Sequence, residues 1–203
     1  MADVTKLMLS DVELRFVNET NWVLTKHGII ATVYELFNAQ VPVITAEIQK
    51  IINPDLQALA AAVPKITRGE NYKLLPYVIL DYPSIFNKED TFALRTMFWW
   101  GNFVSITLQL AGQYKYKLLD KITAGIKQDP SQLFICINED QWAHHFEPAN
   151  YIPATEMTYA ETKAFLQQSG FIKLALKFEL ETWNDMPSLL KTGYTKMAHL
   201  LSG

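Results

Sequence analysis

Two hydrophobic periods alternate along this chain. Between Phe92 and Ala111, Val104, Ile106, Leu108 and Leu110 alternate with Phe103, Ser105, Thr107 and Gln109, a period of two that predicts strands. Gly101-Asn102 sits between the halves as a turn dipeptide, so Phe92–Trp100 and Phe103–Ala111 read as a hairpin. A strand over Leu74–Asp81, ended by Tyr82-Pro83, precedes it, and a fourth covers Gln132–Asn138. A fifth runs from Phe171 to Leu180. There Ile172, Leu174, Leu176 and Phe178 alternate with Lys173, Ala175, Lys177 and Glu179, which predicts one face on the core and one in water.

Elsewhere the period is helical. Tyr114, Leu118, Ile122 and Ile126 recur every four residues from Gln113 to Lys127. Thr158 with Glu161 caps a helix closing at Gly170, and Leu190, Tyr194, Met197 and Leu201 mark a last one from Pro187. The first 70 residues read as several short helices. Ser10 and Glu13 form a capping box, and Lys26-His27-Gly28 is an exit. A second piece spans Thr32 to Asn38 and is interrupted before Pro42; Thr45 opens another, and Asn53-Pro54 begins the last. Lys65 to Lys73 reads as a polar connection. The sum is a single α+β domain over 1–203, a mostly antiparallel sheet of about five strands with helices packed on one face. Residues 1–70 are its helical cover, and 71–203 the sheet with three helices.

Composition narrows the class. Of 203 residues 49% are apolar and only 19% charged, so the chain buries enough surface to offset the entropy of ordering, which excludes disorder. The net charge of -3 and just three arginines (Arg15, Arg68, Arg95) argue against nucleic acid. Lys115, Lys117 and Lys121 read instead as a solvated helix face. The lone Cys136 lies in an apolar run and reads as a small buried hydrophobe. Phe92–Gly112 carries one charge in 21 residues, yet its period of two makes it a hairpin and not a membrane span. With no export signal at the N-terminus, a cytoplasmic location without membrane association is expected. No phosphate loop, nucleophile elbow or H-E-x-x-H occurs, so no cofactor, no metal site and no catalytic residue is assigned.

Three features stand out as candidate binding positions. The stretch from Glu139 to Met157 is long for a loop and holds Asp140, Trp142, His144, His145 and Glu147. If Asp140 starts a helical turn, His144 and Glu147 share its face, a set suited to a metal or to acid–base work. The alternative is a loop packed down by Trp142, Phe146 and Tyr151 with solvated histidines. Arg95 is the second. A two-residue turn sets it opposite Leu108, with Met97 opposite Ile106 and Trp99 opposite Val104, so its guanidinium needs Asp81, an anionic ligand or an edge from which to reach water. The third is the other hairpin face, where Phe92, Leu94, Phe98, Trp100 and Phe103 exceed what a solvent face carries. The leading expectation is a non-catalytic binding domain for an apolar or amphipathic small molecule or for a copy of itself. The alternative is an enzyme with a dispersed acid–base or metal site around Asp140, His144 and Glu147.

Overall fold

A computed structural model of the chain describes residues 7–202. Strands β1 (Lys65–Tyr72), β2 (Leu75–Phe86), β3 (Thr91–Trp99), β4 (Phe103–Ala111), β5 (Phe134–Cys136), β6 (Tyr151–Pro153) and β7 (Phe171–Glu179) form one sheet. Its order is β1-β2-β3-β4-β7-β5-β6, and every neighbouring pair is antiparallel. Five helices accompany it among the described residues: α1 (Asp11–Asn18), α2 (Thr20–Ile51), α3 (Gln113–Gln128), α4 (Tyr159–Gln168) and α5 (Met186–Ser202). The architecture is α+β.

The two strands beyond the five expected lie at the edges. β1 is the stretch read from sequence as a polar connection; Lys65, Arg68 and Glu70 are exposed there, and charges on an edge strand deter pairing with another chain. β6, inside the long 139–157 segment, has three residues and ends in Pro153, which an edge strand tolerates because its missing N–H is not needed.

The hairpin register differs from expectation by one residue. Trp99 pairs with Phe103 across a three-residue turn, with Gly101 at φ 68°. Arg95 therefore faces Thr107, not Leu108, and Met97 faces Ser105. The slip swaps partners wholesale because side chains alternate with period two. It also segregates them: Phe92, Leu94 and Phe98 join Leu110, Leu108 and Val104 on one face, while Arg95 shares the other with Thr107 and Gln109.

The apolar face is covered by the chain's own helices. It packs with Phe37 and Ile44 of α2, Leu118 and Ile122 of α3, and Leu190 and Met197 of α5. Thr96, the polar residue on that face of β3, is bonded to the Tyr194 hydroxyl of α5 at 2.7 Å. Of the aromatic surplus singled out on the hairpin, Phe92, Phe98 and Phe103 are buried and Trp100 is half-exposed.

α2 is one helix where several pieces were expected. Its buried positions, Ile30, Val33, Phe37, Gln40, Ile44, Glu47 and Ile51, step by three and four, and that continuous stripe outweighs the local breakers. Pro42 is exposed, so the missing hydrogen bond lies on the solvent side. The helix expected from Asn53-Pro54 is a turn followed by a short 3-10 segment, Gln57–Ala61.

Candidate functional site

On the sheet face away from the helices the chain builds a closed polar cluster. Asp81 and Arg95 are directly paired on β2 and β3, and the guanidinium donates from Nε to Oδ1 at 2.7 Å and from Nη2 to Oδ2 at 2.9 Å. Its Nη1 lies 3.0 Å from Nε2 of His144. Arginine only donates, so His144 accepts there and is the neutral tautomer protonated on Nδ1. Burial first, then the nearby cations Lys173 and Arg95, hold its pKa well below the ordinary 6.5. The Trp142 ring sits 5.9 Å from the guanidinium and flanks an opening of about 430 Å³ at Arg95.

Tyr72 joins this cluster to the second histidine. Its hydroxyl accepts the backbone N–H groups of His144 and His145 and lies 3.1 Å from His145 Nδ1. With both lone pairs used, the phenol proton goes to Nδ1, leaving Nε2–H of His145 toward Glu147 at 3.5 Å. Glu147 is exposed and also binds Lys73. Burial and the Lys73 charge lower the His145 pKa.

Two further buried groups tie the 137–150 segment down. Lys173, fully buried on β7, donates to the carbonyls of Gln141 at 2.8 Å and Ala143 at 2.6 Å. Desolvation pulls its pKa to about 8. Asn150, also fully buried, donates to the carbonyls of Ala143 and His145 and accepts from the Cys136 thiol at 3.5 Å. The face of β7 expected in water is thus closed at Lys173 and Ala175 by this loop.

The structure brings together Arg95, Trp142, His144, His145 and Glu147 through Tyr72 and Asp81. It does not bring Asp140, His144 and Glu147 to one helix face. Residues 139–150 form turns and not a helix, and Asp140 is exposed, accepting from the Trp142 N–H at 2.8 Å. Phe103 packs on Trp99 and Phe146 on this side of the sheet, buried. Trp100 lies apart, edge-on to Phe98. Among the described residues no group of three or more His, Cys, Asp or Glu side chains could hold a metal ion. The Nε2 of His144 is used as an acceptor from Arg95.

Compared with known families, curated proteins and solved structures, the chain gives no match. The site is therefore read from its geometry.

The open apolar concavity is elsewhere. A cleft of about 780 Å³ lies between α2, the tip of the β3–β4 hairpin and the 3-10 segment Leu180–Asp185. Ile29, Phe98, Trp100, Leu180 and Trp183 line it, with Thr25 and Thr32 as its hydroxyl-bearing members. Trp183 stands edge-on to Phe98 at 5.9 Å. Sequence reasoning picked Trp100 but missed Ile29 and Trp183, which come from segments far away in the chain. A second concavity of about 850 Å³, between α3 and α5, is polar, and its Lys196 is taken up by Asp129 and Ser131.

Proposed function

We propose that the protein is a non-catalytic binding domain that takes an apolar or amphipathic small molecule in the cleft beside Trp100 and Trp183. The carrying observation is a concavity walled by two half-exposed tryptophans, Phe98, Ile29 and Leu180. Its volume falls within the roughly 300–1,000 Å³ of small-molecule sites, which combine apolar walls with a few polar groups. The threonine hydroxyls suit the polar end of an amphiphile. The cluster around Arg95 supports the same reading by contrast. Its Arg95 and Lys73 charges are taken up by Asp81 and Glu147, and its buried Lys173 by backbone carbonyls, so it serves to hold the 137–150 segment on the sheet.

Titration with dodecanoate and with anilinonaphthalene sulfonate, followed by tryptophan fluorescence and calorimetry, tests the reading. Saturable binding at one site per chain, weakened by both Trp183→Ala and Ile29→Gln, supports it. Absence of saturable binding for both probes, or binding unchanged in both variants, overturns it.

A further inference from the structure

Holding the 137–150 segment does not use all the hydrogen-bond capacity of the polar cluster. A guanidinium carries five N–H donors. Arg95 spends three of them, two on Asp81 and one on His144 Nε2. One N–H on each Nη is left without an acceptor among the described residues. Arg95 also forms part of the wall of the opening of about 430 Å³ between the β2–β3 turn and Trp142. The other spare groups of that wall are mainly donors. Gln141 gives its side-chain oxygen to Gln109 and its backbone carbonyl to Lys173, both at 2.8 Å, so its amide N–H groups stay unspent. Asn87 likewise spends Oδ1 on the N–H groups of Glu89 and Asp90 and keeps its own. Two exposed rings, Phe86 at 45% and Trp142 at 49%, complete the wall with their centroids 6.1 Å apart.

We propose that this opening is a second binding site, for a small organic anion of the arene carboxylate class, with its carboxylate on the spare donors of Arg95 and Gln141 and its ring against Phe86 and Trp142. Charge selects an anion. In the cluster Arg95 and Lys173 are set against one buried carboxylate, Asp81, and Lys173 is met by carbonyls alone. Arg95 is near enough to Lys173 to disfavour its proton. Lys88, Glu89 and Asp140 are exposed, where water and salt screen them. A carboxylate only accepts, and its hydrogen bonds to a guanidinium are charge-assisted. The two rings select an aromatic body, which an inorganic anion lacks. The site is also smaller than the cleft at Trp183, about 430 against about 780 Å³, and donor-lined where that cleft is apolar.

Calorimetric titration of the full chain near pH 7 with benzoate, and with benzyl alcohol as its uncharged counterpart, tests this. Benzoate is expected to bind saturably at one site per chain, about tenfold or more tightly than benzyl alcohol, because hydrogen bonds to a charged group are worth that factor. Gln141→Glu keeps the oxygen that Gln109 needs and the carbonyl that Lys173 needs, but sets a second carboxylate in the opening. It is expected to weaken benzoate about tenfold or more. Trp142→Ala, at an exposed position, removes one ring and is expected to weaken it about threefold or more. Absence of saturable benzoate binding below about 10 mM, equal affinity for benzyl alcohol, or unchanged affinity in both variants overturns the proposal. Trp183→Ala leaves benzoate binding intact while it weakens dodecanoate, so the two sites fail or hold separately. Loss of benzoate binding in Trp183→Ala places the anion in the apolar cleft and also overturns the proposal.

Discussion

Arg95 and Asp81 meet as a fork, two parallel hydrogen bonds of 2.7 and 2.9 Å between side chains directly opposite one another on β3 and β2. Both side chains are nearly buried, at 13% and 12% exposure. Removing one partner of such a pair leaves an uncompensated charge in a poorly solvated place, while removing both leaves none. Asp81→Ala is expected to lower stability by about 3 kcal/mol in urea unfolding, and Asp81→Ala with Arg95→Met by clearly less. If the double variant loses the sum of the two single losses, the pair is not coupled and the clamp reading fails.

His144 makes that clamp sensitive to acid. Its folded pKa lies well below 6.5, through burial and the cations Lys173 and Arg95, so in the folded state the imidazole resists its proton. The unfolded chain takes up that proton as pH falls below 6.5, and stability falls with it, because the unfolded state then binds more protons. His145, also depressed, acts in the same sense. Melting temperature is expected to be level from pH 8 to 7 and to decline below about 6.5. The decline should be shallower in His144→Gln, and an equal slope in both proteins would refute the assignment.

Lys173 contributes through its two carbonyl bonds and not through a carboxylate. Lys173→Met keeps the apolar stem but leaves the Gln141 carbonyl without its donor, a loss of about 1–3 kcal/mol. The lysine also shapes the alkaline side. Its folded pKa of about 8 lies below the usual 10.5, so the unfolded chain binds the extra proton between those values and wild-type stability gains as pH rises through that window. The difference between wild type and Lys173→Met, measured at pH 7.5 and 9.5, should therefore grow with pH.

Gln40 occupies a buried step of the α2 stripe, and its side-chain oxygen has no hydrogen-bond partner. Gln40→Leu replaces an unsatisfied polar atom with apolar volume in the same helical row. A gain of about 1 kcal/mol is expected in thermal unfolding. A loss would indicate that the amide, not the stripe, organises that layer.

Some of this was legible in the chain itself. The capping boxes at Ser10–Glu13 and Thr158–Glu161 form as read, because each needs only residues three apart. α3 and α5 appear where their four-residue stripes lie. Asp81 was among the partners legible for Arg95, but from a hairpin register that the three-residue turn overturns. What failed was decided at a distance. β1 is polar along most of its length and becomes a strand only because β2 supplies its hydrogen bonds. α2 runs through Gly28 and Pro42 because α5 and the sheet reward one unbroken stripe.

The candidate positions divide along the same line. Local spacing brought Asp140, His144 and Glu147 together on paper, while the loop's turns send them to Trp142, Arg95 and Lys73. Tyr72, Asn150 and Lys173 organise that loop, yet each looks ordinary among its neighbours in sequence. The chain alone determined the class of fold, the placement of most helices and strands, and the alternation that separates a core face from a polar one. Those properties depend on periods of two and 3.6 residues, which any short segment displays. The hairpin register, the covering of both sheet faces and the cleft at Trp183 were left to the tertiary structure, because each joins residues that share no local period and meet only when the sheet is assembled.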